Sequence, residues 1–551
     1  MTPTTETSTS GTIRQAVDLR SFPGIRRLAA DYAEGTTGLL DFYAGHPGDP
    51  GAWRRAIERA RAHPRDRAAL CDALLAQLHH RAAPPEACAA VERLRDPGTV
   101  VIITGQQAGL FGGPMYTLLK AITAIKLAAR VRQQFHVEAE AIFWIDSEDH
   151  DWNEVNGCEV LDADLQPKQF RLPDPPGAGE LPVARLPLDH SVTACLDELA
   201  AVLPPTEFSG TLLTRLRSAY RPGAGMSDAF GRLLEFVLGE LGLIVYDAAD
   251  PATKPLVASV FNREIAYTGR TADRATETGR QLEERGYHAQ VVSSPGHVSL
   301  FHLDGGRAGI TAIGERFAVG GRSLDLKALT ALTRSQPALF SPNVLLRPIV
   351  QDALFPTIAY VAGPNELAYL GQLKPVYEDF GVPMPLMYPR ATATLLDSAA
   401  LRFLGKYDVA LADLQARDES TLNRLLEAQL PPEVEQSFSS VEAAITDGMH
   451  RLVAAVPAVD PTLEGAARSV AGKIHHELQN LHHKIINAAK KRDETLRRQF
   501  SRTQAQAFPG GHAQERSTAF IYFLNRYGPG LVDRLLNDLP VEPGAHWILT
   551  V

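Results

Sequence analysis

Six ionisable side chains crowd into nine positions at 146–154: Asp146, Glu148, Asp149, His150, Asp151 and Glu154, within the stretch DSEDHDWNEVN. They directly follow AIFWI, an apolar run with the character of a buried strand. Carboxylates flanking an imidazole are the materials of proton transfer, so Asp149 and His150 are candidates for general acid/base catalysis. Glu148 is a candidate for facing a substrate beside them. A plainer reading explains part of the charge, because Asp151 followed by Glu154 is a variant of a helix capping box. Asp151 is kept as a binding candidate alongside that role. On a helix, Asp146, His150 and Glu154 would share one face at four-residue spacing, a donor set for a divalent ion. A metal-dependent hydrolase using Asp146, Asp149 and His150 is therefore carried as a rival enzyme reading.

A second stretch, TGQQAGLFGGPMYTLLKA, places Gly105, Gly109, Gly112 and Gly113 between a strand and a helix. Pro114 suits the first helical position, where a missing amide hydrogen costs nothing. Loops of this kind can turn backbone N–H groups and a helix N-terminus toward a phosphate or carboxylate. Gln106 and Gln107 lie in the turn, and Tyr116 and Lys120 follow one turn apart on the helix. The apolar stripe Met115, Leu118, Ile122, Ile125 occupies another face, which leaves Lys120 free to point at the loop. The glycine spacing is neither GxGxxG nor GxxxxGK[ST], so neither a standard dinucleotide site nor a P-loop is indicated.

Between 341 and 397 polar side chains interrupt sequence that otherwise reads as buried: Asn343, Arg347, Gln351, Asp352, Asn365, Glu366, Tyr369 and Arg390. Arg347 and Arg390 could each fork onto a carboxylate or phosphate. Two histidine pairs, His475–His476 and His482–His483, are seven residues apart, about 10 Å along a helix and too far to share an ion. They fall outside the apolar stripe of their segment and read as solvated helix faces. Cys71, Cys88, Cys158 and Cys195 show no CxxC spacing, which argues against a disulfide framework and a thiolate zinc site.

The elements that must position these residues follow from pattern. A polar leader over 1–20 is expected to be disordered, and a helical stretch runs to about residue 95. TVVIITG and EAEAIFWI flank the glycine loop and its helix, making a strand, loop, helix, strand unit that implies a parallel sheet. Similar units recur with a helix near 226–241 before LIVYDAA, helices at 252–286 before HAQVVSS, and TIAYVAG before a helix starting near Pro364. The expectation is an α/β, Rossmann-like core over 21–395 with insertions near 158–222 and 297–340. Two apolar stripes, from Val434 to Ala455 and from Ile474 to Ala488, read as a helical hairpin or coiled coil within 396–507. The segment 508–551 returns to compact character and is expected to pack back on the core, with HWILTV as an edge strand. Hydrophobic residues at 45% and charged residues at 22% are globular values, and a net charge of −9 gives no footprint for nucleic acid or a membrane surface. No apolar run approaches the roughly 20 residues of a membrane span, and the start MTPTTETSTSG lacks a basic region and an apolar core, so the chain reads as cytoplasmic.

Four stretches taken together, ITGQQAGLFGGPMYTLLKAITAIKLA, FWIDSEDHDWNEVN, the segment 341–395 and PGGHAQERSTAFIYFLNRYGPGLVDRLL, closely resemble the bacillithiol synthase family of cysteine-adding ligases, BshC. The likeness runs from about residue 20 to the end and preserves motif order. It implies a core akin to class I aminoacyl-tRNA synthetases and nucleotidylyltransferases, a C-terminal coiled coil and a homodimer. It also implies the reaction, which joins the carboxyl group of cysteine to the amine of glucosaminyl-malate, with ATP expected and Mg²⁺ as its companion. On this resemblance the 105–114 loop would hold phosphates or the cysteine carboxylate, and Lys120 or Arg390 would offset phosphate charge. His150 with Asp149 would manage protons on the amine, and Arg347 would receive malate carboxylates. GGPMYT stands where the wider superfamily carries HxGH, and PRATAT stands where a KMSKS-like loop is expected. Both the adenylate route and an acyl-phosphate route releasing ADP therefore stay open. The non-enzymatic rival is a dimeric scaffold whose coiled coil is its working part.

Overall fold

Val100–Gln106 opens with four β-branched residues, Val100, Val101, Ile102 and Ile103, each fully buried. At about 1.5–3 kcal/mol per buried side chain, such a run is stable only with both faces covered. In the computed structural model, which describes residues 5–7, 12–22, 24–291, 296–415, 418–429, 432–492 and 494–551, it is the central strand of a five-stranded sheet. On one side follow Ala139–Ile145 and then Ile244–Asp247; on the other follow Thr357–Ala362 and then Leu386–Pro389. Every pairing is parallel. Chain order therefore runs outward in one direction and resumes on the other side of the centre. The reversal between Val100–Gln106 and Thr357–Ala362 is where open α/β sheets form a ligand crevice at their carboxyl edge.

The helix Met115–Phe135 buries its apolar residues on this sheet and starts one residue later than the sequence suggests, with Pro114 at its cap. The 297–340 insertion is an antiparallel sheet in the order Arg322–Asp325, Arg316–Val319, Ala308–Ile313, His297–His302, Phe340–Pro342. The earlier insertion is a two-stranded ribbon, Gly157–Leu161 with Pro167–Arg171, followed by the helices Ser191–Val202 and Ser209–Ala219.

Three expectations are corrected here. The leader is not wholly unstructured: Ile13–Asp18 is a strand paired with Ala545–Thr550, whose ladder satisfies its amides. Residues 1–4 and 8–11 lie outside the described residues. Ala545–Thr550 is not an edge strand, because Ile13–Asp18 and Thr392–Leu396 flank it. HAQVVSS supplies no strand over its described part, 288–291, because the Gln372 side chain takes the place of a neighbouring strand. Its Oε1 accepts from the Gln290 and Val291 amides, and its Nε2 donates to the Val291 carbonyl.

The chain divides into two units, residues 1–395 with 512–551, and residues 396–511. In the second, the helices Pro432–Ala455 and Leu463–Arg492 pack together. Glu442 pairs with His475 at 3.6 Å and Glu435 with His482 at 3.2 Å, so the sequence runs in opposite senses along the two helices. His482 is not a solvated group as expected, since its ring lies 4.3 Å from that of Phe438. Among the described residues no helix is long and apolar enough to cross a membrane.

Candidate active site

Four of the five parallel strands of the core end in residues that face one cavity of about 740 Å³. Gln107 follows Val100–Gln106, Asp146 and Asp149 follow Ala139–Ile145, Gly363 and Glu366 follow Thr357–Ala362, and Arg390 follows Leu386–Pro389; all line it. Tyr116 and Lys120 from the helix, Asn343, Arg347 and Tyr369 from the later motif, and Glu154 complete much of the predicted set. Residues spread from Gly105 to Arg516 of the sequence thus converge on one cavity.

Lys120 sits at the sheet's reversal point, almost fully buried. Its ammonium donates to the Gly105 carbonyl at 2.8 Å and to Gln106 Oε1 at 3.1 Å, and lies 2.6 Å from Glu366 Oε2. Glu366 accepts in addition from the Gly363 amide at 2.7 Å and from the Tyr360 hydroxyl at 2.8 Å. Burial pushes the Glu366 carboxyl up, but Lys120 and these donors outweigh it and hold it below its ordinary value. Burial likewise pulls the Lys120 ammonium down while Glu366 pulls it back. Burial prevails at Lys120, whose ammonium is lowered overall, while three donors on the carboxylate and three acceptors around the ammonium favour the ionised pair.

Arg390 is held in the same manner, bidentate to Glu515 at 2.6 and 2.9 Å, with its guanidinium 5.6 Å from the centre of the Tyr116 ring. Arg347 donates to the Tyr369 hydroxyl at 3.0 Å and to Gln351 at 3.3 Å, and its Nε is a looser 3.8 Å from Asp146. Burial raises the Asp146 carboxyl, Arg347 opposing. Glu154 is raised by burial and then by its neighbours Asp151 and Asp149.

The acidic stretch divides at the strand exit. Asp149 faces inward, accepting from Gln107 Nε2 at 2.7 Å and from Arg307 Nη1 at 3.2 Å. Its neighbour His150 does not line the wall itself; the ring leans on Asp149 and Arg307 and stays almost half exposed. Glu148 does not face the cavity: its side chain points the other way, 2.6 Å from the buried ammonium of Lys254. Asp151 is also outside, capping the short helix Trp152–Val155 through the Glu154 amide.

Further predicted residues fall away for identifiable reasons. Gly109, Gly112 and Gly113 do not line the cavity, and their three amides are consumed within the loop. Gly112 and Gly113 donate to the Gly109 and Leu110 carbonyls, and Met115 at the helix start donates to Thr518 O at 2.9 Å. Gly112 has φ +92°, and an added Cβ would lie 2.3 Å from the Phe520 ring, so glycine here serves close packing. Gln351 and Asp352 are buried behind the wall. Asp352 accepts from Tyr377 at 2.5 Å, and burial pushes its carboxyl up to about 6.

Two cavity arginines escaped the sequence reading. Arg307 comes from the turn of the antiparallel insertion, stacked 3.8 Å over Phe301, and Arg516 comes from the C-terminal segment. Arg516 makes no ion pair among the described residues. Its neighbour Glu515 could have been suspected from the motif AQERS, whereas a GGR turn inside an insertion carries no pattern. Among the described residues no three His, Cys, Asp or Glu side chains are grouped to hold a metal ion, so the hydrolase reading gains no support.

Fold and site define a Rossmann-like α/β protein with a charged cavity at its strand ends and a helical hairpin unit. Residues 15–391 match the family described as bacillithiol biosynthesis BshC, N-terminal Rossmann-like domain, and residues 393–551 match its C-terminal coiled-coil domain. The chain is 34% identical over 540 residues to a Salinibacter ruber protein named "Putative cysteine ligase BshC", covering 97% of each chain. A Koribacter versatilis protein of the same name is 33% identical over 543 residues, covering 98% of this chain and 100% of the relative. A third, from Geobacillus thermodenitrificans, is 30% identical over 538 residues, covering 96% and 98%. This chain belongs to the BshC family.

Proposed function

We propose that this protein is the cysteine ligase of bacillithiol synthesis, forming an amide between the carboxyl group of cysteine and the amine of glucosaminyl-malate. The observation that carries the reading is the convergence of Lys120, Arg307, Arg347, Arg390 and Arg516 on one cavity at the sheet's reversal point. Both substrates are carboxylates, and fixed cations in a partly dehydrated cleft are what recognises them.

The five cations divide by their partners, Arg307 being paired with Asp149 at 3.2 Å. Lys120 and Arg390 are already compensated by Glu366 and Glu515, so they shape the floor and the local field. Arg516, without an ion pair among the described residues, and Arg347, only loosely opposed by Asp146, are the groups with charge to offer an anionic substrate. Phosphates would be met by these side chains and not by the glycine-loop amides, which are spent within the protein. ATP supplies the group that turns a carboxyl oxygen into a leaving group, with Mg²⁺ as its companion. Asp149 and His150 border the place where an ammonium must lose a proton before it can attack.

The family resemblance also supports a homodimer through the helical unit. Val441, Leu452, Val470 and Leu481 each stay about half exposed there, an apolar surface suited to a second copy. A cytoplasmic setting accords with four cysteines that form no disulfide. The decisive experiment incubates the pure protein with cysteine, glucosaminyl-malate and ATP and follows the thiol product and AMP or ADP by mass spectrometry. Product with stoichiometric nucleotide turnover is expected; no product with or without host extract refutes the ligase. Sedimentation of the full chain reads the dimer, and a monomer at micromolar concentration refutes that part.

A further inference from the structure

Arg307 stands between the two groups most suited to moving a proton. Its Nη1 is 2.9 Å from His150 Nδ1 and 3.2 Å from Asp149 Oδ1, while Nδ1 and Oδ1 are 3.1 Å apart. A guanidinium can only donate and stays charged in proteins. A proton on Nδ1 would set two donors against each other at the shortest of these three distances. A bare Nδ1 instead makes hydrogen bonds of both Arg307 contacts, one guanidinium N–H group bridging two acceptors, Nδ1 and Oδ1, that it holds 3.1 Å apart. Oδ1 is supplied besides by the His150 backbone amide at 2.7 Å, so it has no need of a ring proton.

The arrangement is held from three directions. Arg307 lies flat on Phe301, and its backbone amide donates to the Glu180 carbonyl at 2.9 Å. Three residues on, the Val183 amide donates to the Asp149 carbonyl at 2.7 Å and that of Ala184 to the Ser147 carbonyl at 3.0 Å. One segment therefore ties the insertion turn to the acidic stretch. The charged groups facing the imidazole are Asp149 and Arg307, and Asp146 and Glu148 act on it through Arg307.

We infer that Arg307 is a positioning residue that fixes His150 as the neutral imidazole protonated on Nε2. His150 then serves a ligand at the cavity mouth as a hydrogen-bond donor, and accepting the amine's proton falls to Asp149 or water. Neutral imidazoles used as donors are an established device for polarising a carbonyl oxygen. The role rests on the ligase reading; the tautomer does not.

The tautomer is read first, by NMR of the full chain labelled with ¹⁵N only in histidine, with His150 assigned by its loss in His150→Gln. Nδ1 is expected to be unprotonated in the native protein and in Arg307→Lys, and to gain a proton in Arg307→Met. A protonated Nδ1 in the native protein, or no change in Arg307→Met, overturns the assignment. The role is read by ligase rate. Gln can donate from near the Nε2 position, so His150→Gln is expected within about tenfold of the native rate and His150→Ala about a hundredfold below it. Equal losses in the two variants overturn the donor role. Native protein with no ligase activity counts against the ligase reading alone, and the NMR result still decides the tautomer.

Discussion

The cavity has two walls made in different ways. At the strand ends, Lys120 and Arg390 have side chains only 4% and 2% exposed, each matched to a carboxylate and each carboxylate matched to further donors. By contrast, Asp149 and His150, past the end of Ala139–Ile145, are 30% and 44% exposed, and their partner Arg307 comes from an insertion outside the parallel sheet. The first wall is a satisfied network in which every charge has been desolvated and repaid by a partner. The second keeps capacity for new contacts. Substrates need both, a fixed field to orient them and groups whose hydrogen bonds can still change during the reaction.

The strongest way to break this contrast is to remove one partner of the buried wall. Lys120→Met leaves the Glu366 carboxylate buried beside an apolar side chain. Urea unfolding should show a loss of about 3–5 kcal/mol, with activity abolished. Glu366→Gln added to Lys120→Met should restore part of the stability and none of the activity. A stability loss under about 1 kcal/mol would mean that the wall is hydrated and resembles its opposite. The glycine turn behind that wall comes next: Gly112→Ala combines a Cβ meeting Phe520 with a left-handed backbone. A loss of about 2 kcal/mol is expected, with substrate affinity unchanged in whatever protein still folds. A selective rise in KM would return the loop to the binding site.

On the open side the effect should fall on binding alone. Arg516→Ala is expected to raise KM for an anionic substrate about 10- to 100-fold while unfolding shifts by less than about 0.5 kcal/mol. Steady-state kinetics with each substrate varied in turn identifies which anion Arg516 meets.

The same contrast explains what could be seen in the sequence. Strands with unbroken apolar runs, VVII and AIFWI, were legible because burial on both faces admits few alternatives. Their carboxyl ends point to Gln107 and Asp149. Glu148 was not legible, since one residue of turn at a strand exit decides which side of the sheet a carboxylate reaches. The glycine loop reads as an anion cradle because its glycines lie between a strand and a helix start, yet the glycine amides close on carbonyls of the loop, and the carbonyl that takes the Met115 amide, Thr518, lies some four hundred residues onward. Arg307 belongs to the same class of long-range fact. HAQVVSS has strand-like composition over its apolar part, yet a single Gln372 side chain satisfies the amides of Gln290 and Val291 where a neighbouring strand would have done so.

The smallest expected effect separates ionised from neutral states of the buried wall. Glu366 is held below its ordinary carboxyl value of 4.5, burial opposing and Lys120, Gly363 and Tyr360 prevailing. A carboxyl lowered by folding contributes stability that is present above its unfolded value and is lost as pH falls through its folded one. Native protein should therefore lose its advantage over Glu366→Gln as pH is taken from about 5 to about 3, read as converging urea midpoints. Asp352 gives a slope of opposite sign, because its carboxyl is pushed up to about 6 and its contribution is lost as pH rises through that value. That slope is shared by both proteins and cancels in the difference. Midpoints that stay parallel throughout would show that Glu366 carries its proton at neutral pH, and the strand-end wall would then be a hydrogen-bonded network without an ion pair at Lys120.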